Sequence, residues 1–366
     1  MVTRRQFNAT TMTIGASSML GGCAPGGAAR PYEQAVRDTW RHGQVDRNDG
    51  AALRRELVRY ATLAPSSHNT QCWKFALEDQ TITILPDLSR RCPAVDPDDH
   101  HVFVSLGCAA ENLVQAALAH GLKANASFDA GRAGLRIALE PTAATTSPLF
   151  QAIPHRQSTR AEYDGKALAA EELRQLEQAA AGAGVQLMLL TDKDMLERVL
   201  EFVVQGNTVQ MNDRAFVDEL KAWIRFNASD AARAGDGLHS ASSGNPTLPS
   251  WLGPLMFDLA FRPKSENDKY ARHVRSSAGI AIFVGPRNDK AAWIEVGRVY
   301  ERFALQATAL GVRTAHLNQP IEVAALRPQF ANLVGIAGQR PDLVIRFGRG
   351  PTLPPSLRRP VQSVLV

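Results

Sequence analysis

Two stretches of this chain carry one pattern at one fixed offset. Gly107-Cys-Ala-Ala-Glu111 runs through Ala117 to Gly121-Leu122-Lys123, and Gly297-Arg-Val-Tyr-Glu301 runs through Ala307 to Gly311-Val312-Arg313. Gly, Glu, Ala, Ala, Gly, an aliphatic residue and a basic residue recur in the same places. Each stretch reads as an amphipathic helix stopped by a glycine at its C-terminal end. A single helix of this kind is common. Two in register, each set between strand-like runs, make an internal repeat. Residues 81–85 and 135–139 are the strands around the first helix; residues 279–284 and 342–347 flank the second. The pattern predicts an α+β fold of two mixed sheet-and-helix halves, residues 50–153 and 154–366.

The second half opens with a helix at 170–181 and a strand at 185–190. It then departs from the first. Residues 211–270 have no counterpart there: a helical part with Trp223 is followed by a polar, proline-containing loop ending at Trp251. A loop that long inside a compact unit needs a task, and the expected one is that of a lid. The whole length of 366 residues suits two such halves.

Residues 1–22 read as an address. Thr3-Arg4-Arg5-Gln6-Phe7 resembles a twin-arginine export signal and precedes a weakly apolar run. Leu20-Gly21-Gly22-Cys23 resembles a lipobox, which implies an acylated Cys23 and a periplasmic, lipid-anchored protein. Residues 23–49, rich in Gly, Arg and polar side chains, read as a tether. No run of about 18 apolar residues marks a membrane span, and a formal charge of +5 is too mild to point to nucleic acid. Cys72, Cys92 and Cys108 are widely spaced and contain no C-x-x-C, so neither a disulfide framework nor a zinc site is expected, while a single pair among the three stays open in an oxidising compartment.

The candidate chemistry lies in four short stretches. Ala64-Pro65-Ser66-Ser67-His68-Asn69-Thr70-Gln71-Cys72-Trp73 is a polar loop between a helix and a strand, with hydroxyls and an amide to present. Arg156-Gln157-Ser158-Thr159-Arg160 puts two guanidinium groups and a hydroxyl on one face of an extended segment, a pattern suited to a phosphate. His316-Leu317-Asn318-Gln319-Pro320-Ile321-Glu322 follows the second repeat helix. The chain closes on the basic Arg358-Arg359.

Together these stretches resemble the nitroreductase-like FMN proteins, over residues from about 50 to 366. The A-P-S-x-x-N-x-Q loop matches that family's flavin-edge loop, with Cys72 where proline is usual. The R-x-S-x-R segment matches its phosphate grip, with Gln157 in place of a second arginine. In that resemblance Pro65, Ser66, Ser67 and Asn69 border the flavin. Arg156, Ser158, Arg160, Arg358 and Arg359 hold the phosphate and ribityl chain, and the turn Gln319, Pro320, Ile321 and Glu322 aims backbone N–H groups at N5. The loop belongs to the first half and the other three stretches to the second, so one chain builds one complete site. That is the arrangement of the Acg-like branch, a fused internal pseudo-dimer with a lid.

The function this implies is an FMN-dependent oxidoreductase with an unnamed small-molecule donor and acceptor, acting as a monomer or weak dimer. An FMN-storing protein with little turnover is the alternative, and a structural protein on a degenerate scaffold a third. No catalytic acid can be chosen from sequence. Asp98-Asp99-His100-His101 is a poor chelator, because adjacent loop residues rarely share one ion. No G-x-S-x-G, G-x-G-x-x-G after a strand, or Walker sequence occurs.

Overall fold

Two four-stranded antiparallel sheets back onto a central pair of helices in the computed structural model, which describes residues 26–366. The twin-arginine stretch and the Cys23 lipobox lie outside the described residues. Helix α1 (Gly26–Thr39) is followed by α2 (Gly50–Thr62), whose N-cap Asp49 accepts from Ala52 N. The first half continues with β1 (Trp73–Glu78), β2 (Thr81–Pro86), α3 (His100–Ala119), β3 (Leu122–Asp129) and β4 (Gly134–Pro141), ending in the short α4 (Pro148–Ala152). The second half begins with α5 (Ala170–Ala179) and β5 (Gln186–Leu190). Next come α6 (Lys193–Asn212), α7 (Arg214–Trp223), β6 (Ile224–Arg225), α8 (Ala228–Ala234), β7 (Leu238–His239), α9 (Gly253–Ala260) and α10 (Pro263–Arg275). The chain closes with β8 (Gly279–Val284), α11 (Lys290–Ala309), β9 (Arg313–His316), α12 (Gln319–Glu322), α13 (Arg327–Leu333) and β10 (Pro341–Gly348).

The first sheet has the order β1-β2-β4-β3 and the second β5-β8-β10-β9, with every neighbour antiparallel. Order and sense are therefore shared, and α3 and α11 stand at matching points between the second and third strands. They also pack on each other. The fold is mixed α and β, as the sequence predicts, although β3 and β9 carry no strand signal strong enough to be read beforehand.

Burial explains why β8 reads as an unbroken apolar run and β10 as one interrupted only by Asp342 and Arg346. Along them, Ala281, Phe283, Leu343 and Ile345 enter the main core with α3 and α11. The alternate residues Ile280, Ile282, Val284 and Val344 enter a second core with Leu196, Val199 and Val203 of α6. A sheet covered on both faces needs apolar residues at successive positions. β3 has one face in water and alternates instead. Helix α3 is long and apolar enough to cross a bilayer by length and composition, yet it is sheathed by protein along most of its length and is a core helix here.

Two boundaries differ from the sequence reading. The segment without a counterpart in the first half runs from 191 to 278 rather than 211 to 270, because α6 and α10 pack together over the outer face of the second sheet. In the first half only Asp79 and Gln80 join the equivalent strands. The expected tether is also, in part, a packed helix. Tyr32 of α1 is buried against Ala231 of α8 and Leu357 of the tail, and its hydroxyl donates to Pro355 O at 2.5 Å.

Candidate functional site

The loop after α2 is held in a costly conformation. His68, Asn69 and Gln71 all have positive φ (46°, 53° and 54°), a left-handed region that non-glycine residues seldom occupy. The restraints come from elsewhere in the chain. Asn69 Nδ2 donates to Gly237 O at 2.9 Å and Leu357 O at 3.2 Å, and Gly237 N returns a bond to Asn69 O at 3.1 Å. Gln71 Nε2 donates to Gly235 O at 2.8 Å, while Gln71 Oε1 accepts from Arg359 N at 2.8 Å. The insertion and the C-terminal tail thus clamp the loop. Ser66 Oγ accepts from Gln71 N at 2.9 Å and closes it internally.

Two adjoining cavities open beside this loop. The larger, of about 520 Å³, is bordered by Pro65, Ser66 and Ser67. The smaller, of about 360 Å³, is bordered by Asn69, Arg156, Ser158 and Arg358. Pro65, Ser66, Arg160, Leu238 and His316 line both, so the two are neighbours. The Arg156-to-Arg160 segment is fixed there by a bridge between Ser158 and Thr314, with Thr159 N donating to Thr314 O at 2.9 Å. Arg346, buried below, donates to Thr159 O at 3.0 Å and Ala161 O at 2.7 Å and lies 4.0 Å over the Tyr163 ring.

The four arginines assigned to one task divide into different ones. Arg160 is half-buried, and its guanidinium has no ion-pair partner or acceptor among the described residues. It is the cation available to a ligand. Arg156 is buried and already engaged: Nε lies 3.3 Å from Glu301 Oε1, and Nη2 donates to Leu63 O at 3.2 Å. Among the described residues its Nη1 has no partner, and its Nε faces the Glu301 charge without making a hydrogen bond. Arg358 donates to Thr62 O, Leu63 O and Ala64 O at 2.7–3.1 Å and lies 4.8 Å over the Trp40 ring. It caps the carbonyl end of α2, a position that favours a cation. Arg359 lines neither cavity; its Nη2 donates to Ser363 O at 2.8 Å.

The Gln319-to-Glu322 turn also departs from expectation. Ile321 N and Glu322 N both donate to Asn318 O at 2.9 Å, and Pro320 has no N–H, so these three residues offer no backbone donor to a ligand. Ile321 is buried in the second core instead. The turn contributes side chains: Gln319 and Glu322 line the larger cavity. Glu322 Oε1 lies 3.3 Å from His101 Nε2, and Oε2 accepts from Gln210 Nε2 at 2.7 Å. Burial pushes Glu322 up, but the hydrogen bond and charge of His101 outweigh it and hold the carboxyl below its usual range. For His101 burial works downward, and the carboxylates of Asp96 and Glu322 overcome it, so its pKa is raised. An imidazole whose charged form is favoured by two carboxylates therefore lines the larger cavity. His316 is the opposite case: burial, then the charges of Arg160 and His101, bring it down to about 3, and it stays neutral.

The other wall comes from the insertion, and sequence reasoning named none of its residues. Phe216, Phe226, Met256 and Phe257 make it largely apolar, while Lys269 and Tyr270 of α10 add polar groups at its edge. Their spacing in sequence marks a helix face but not which cavity it closes.

The comparisons follow this geometry. No protein-family model matches the chain. A putative NAD(P)H nitroreductase of Mycobacterium tuberculosis is 26% identical over 324 residues, covering 85% of this chain and 90% of the relative. In sequence the chain resembles the nitroreductases. A second nitroreductase-like relative from the same organism, the putative NAD(P)H nitroreductase acg, is 25% identical over 325 residues, covering 85% and 94%. Among solved structures, the FMN-dependent nitroreductase NfnB of Mycobacterium smegmatis in complex with NADPH overlaps with a TM-score of 0.37 at 13% identity, over 56% of this chain and 87% of its own. The FMN-bound nitroreductase of Bacteroides fragilis overlaps with a TM-score of 0.35 at 16% identity, over 56% and 90%. At such values the spatial overlap is loose.

Proposed function

We propose that this nitroreductase-like chain is an FMN-dependent oxidoreductase that holds one FMN between two internally duplicated halves. One observation carries the reading. Residues from both halves, chosen from sequence as flavin contacts, meet at two adjoining cavities, one apolar-walled and one basic. The residues present suit the group. Arg160 is an unspent cation where the cavities join, and Arg156 Nη1 and Asn69 Oδ1 are buried polar atoms with no hydrogen-bond partner among the described residues. Arg160, Ser158 and the free Nη1 of Arg156 would hold the phosphate. Pro65 and Ser66 would border the ring, and Gln319 with the Glu322–His101 pair would face it from the floor.

When bound, the flavin supplies hydride transfer. The chain's own residues bind, orient and shield. The insertion acts as the lid: its apolar wall excludes water from the larger cavity and strengthens every charge inside it. His101, whose charged form Asp96 and Glu322 favour, is the group we assign as a proton donor on the wall of that cavity.

The visible spectrum of the purified protein tests the proposal. Oxidised-flavin bands near ~370 and ~450 nm, with about one FMN released per chain, support it. A colourless protein that takes up no added FMN would overturn it. The insertion packed against the larger cavity favours a second reading, storage of FMN with little turnover. A flavin-loaded protein that is reduced chemically but passes no electrons from NAD(P)H to a nitroaromatic acceptor would select that reading.

We also propose export by the twin-arginine route and anchoring through an acylated Cys23, on the sequence pattern alone. Mass spectrometry of the N-terminal peptide from the membrane fraction decides it. An unmodified Cys23 in the soluble fraction would end the anchor.

A further inference from the structure

We propose that His68, Cys92 and Glu219 form a transition-metal site, suited to zinc, at the seam between the strained loop and helix α7. Their ligand atoms all lie within 4.8 Å of one another, and Cys92 Sγ is 3.5 Å from His68 Nδ1. One nitrogen, one sulfur and one carboxylate oxygen are a donor set that zinc takes, and three protein ligands leave the fourth tetrahedral position open. Of the three, His68 also lines the larger cavity.

The surroundings prepare each ligand. Burial brings His68 down to about 4, so the imidazole is neutral and can coordinate at pH 7. Burial pushes the Cys92 thiol up, with the Glu219 carboxylate adding to the effect, so without a metal the group is an inert thiol. Zinc binding forms the Zn–S bond and releases the thiol proton to solvent. Glu219 is oriented by Ala94 N and Val95 N, which donate to its two oxygens at 2.9 and 3.2 Å. Arg91, whose charge acts on Glu219, is ion-paired with Asp99 at 3.2 Å instead. A thiol and a carboxylate thus meet without a dedicated cation.

The nearby group Asp96, His100 and His101 also has its donor atoms close together, but it is spoken for. His100 Nε2 faces Asp342 Oδ1 at 2.9 Å, and His101 Nε2 faces Glu322. The three ligands of the proposed site come from the loop, the segment after β2 and the insertion. A bound ion would therefore pin α7 to the loop, and its removal would loosen the cover over the larger cavity.

The site does not depend on flavin, and the test is run on the full purified chain both as isolated and after flavin removal. Zinc alone is titrated against a competing chelator and counted by elemental analysis. About one zinc per chain is expected. His68→Ala and Cys92→Ser should each weaken binding by more than the roughly 10–100-fold that a lost outer-shell partner costs. Cobalt should give a thiolate charge-transfer band that Cys92→Ser abolishes. Cys92→His, which restores a ligand, should recover zinc without that band and so separates ligation from misfolding. No zinc retained by the wild-type chain, or unchanged affinity in both His68→Ala and Cys92→Ser, would overturn the proposal.

Discussion

Gly107 and Gly297 serve each other's helix. A Cβ on Gly107 would lie 2.0 Å from Ile294 O, and one on Gly297 would lie 2.0 Å from Val104 O. These are backbone atoms, each three residues before the opposite glycine, so neither contact can be relieved by turning a side chain. Helices α3 and α11 approach this closely only because both positions lack a side chain. Gly107→Ala and Gly297→Ala should therefore each destabilise the chain by about 1–3 kcal/mol or more, the cost of overpacking a core. Because both force the same two helices apart, the double variant should cost less than the sum. Urea denaturation measures all three. A loss below about 0.5 kcal/mol in either single variant would mean the helices are not held by this contact.

Asn69 gives a second expectation. Its amide ties the loop to Gly237 in the insertion and Leu357 in the tail. Asn69→Ala removes both bonds; Leu357 O keeps Arg358 Nη1 at 3.0 Å, but the buried Gly237 carbonyl loses its side-chain donor, which should cost about 1–3 kcal/mol. It should also raise protease cleavage within the insertion, since the clamp is mutual. Unchanged cleavage together with unchanged stability would show that other contacts hold the loop.

Arg160 and Arg156 should separate in a way their shared motif does not suggest. Arg160→Ala removes a cation with no partner in the protein, so the flavin-free chain should keep its stability. Its affinity for FMN should fall by about 1.5–3 kcal/mol, the worth of a charged hydrogen bond. Arg156→Ala leaves Glu301 buried and alone, so it should destabilise the flavin-free chain by roughly 3–5 kcal/mol if Glu301 stays ionised. Paired titrations of FMN affinity and melting temperature test this. If both variants behave alike in both measurements, the division of labour is wrong.

What the sequence makes legible here is what is local. A glycine after each repeat helix, alternation in Arg156, Ser158 and Arg160, and a polar loop with Pro65 all announce themselves within a few residues. The uses that depend on distant partners stay hidden. Arg358 looks like a phosphate ligand until the carbonyl end of α2 is seen beneath it, and Ile321 looks like a flavin neighbour until α6 covers it. The left-handed backbone at His68, Asn69 and Gln71 cannot be read beforehand, because no glycine marks it and the restraints come from residues 235–237 and 357–359. Phe216, Met256 and Tyr270 were silent for the same reason. Their helices have ordinary amphipathic patterns, and only packing shows which face closes a cavity.

Glu301 ties the core to pH. It is fully buried, its two oxygens accept no well-formed hydrogen bond among the described residues, and the cation facing it there is Arg156, with Nε at 3.3 Å. Burial outweighs that attraction and raises its pKa from 4.5 to about 7. A carboxyl raised on folding is happier protonated in the folded state. Its contribution to stability is complete below about pH 4.5 and is lost as the pH rises through about 7. Glu301→Gln keeps a neutral group of similar shape at every pH. The variant should therefore gain on the wild type between about pH 5 and pH 8, by on the order of a few kcal/mol at the upper end. Asp342, raised to about 6 by its own burial, titrates in the same range but is common to both proteins and cancels in the comparison. Melting temperatures of the two proteins across this range decide the matter. Parallel profiles would mean that Arg156 keeps Glu301 ionised throughout, and the pair would then be an ordinary buried ion pair.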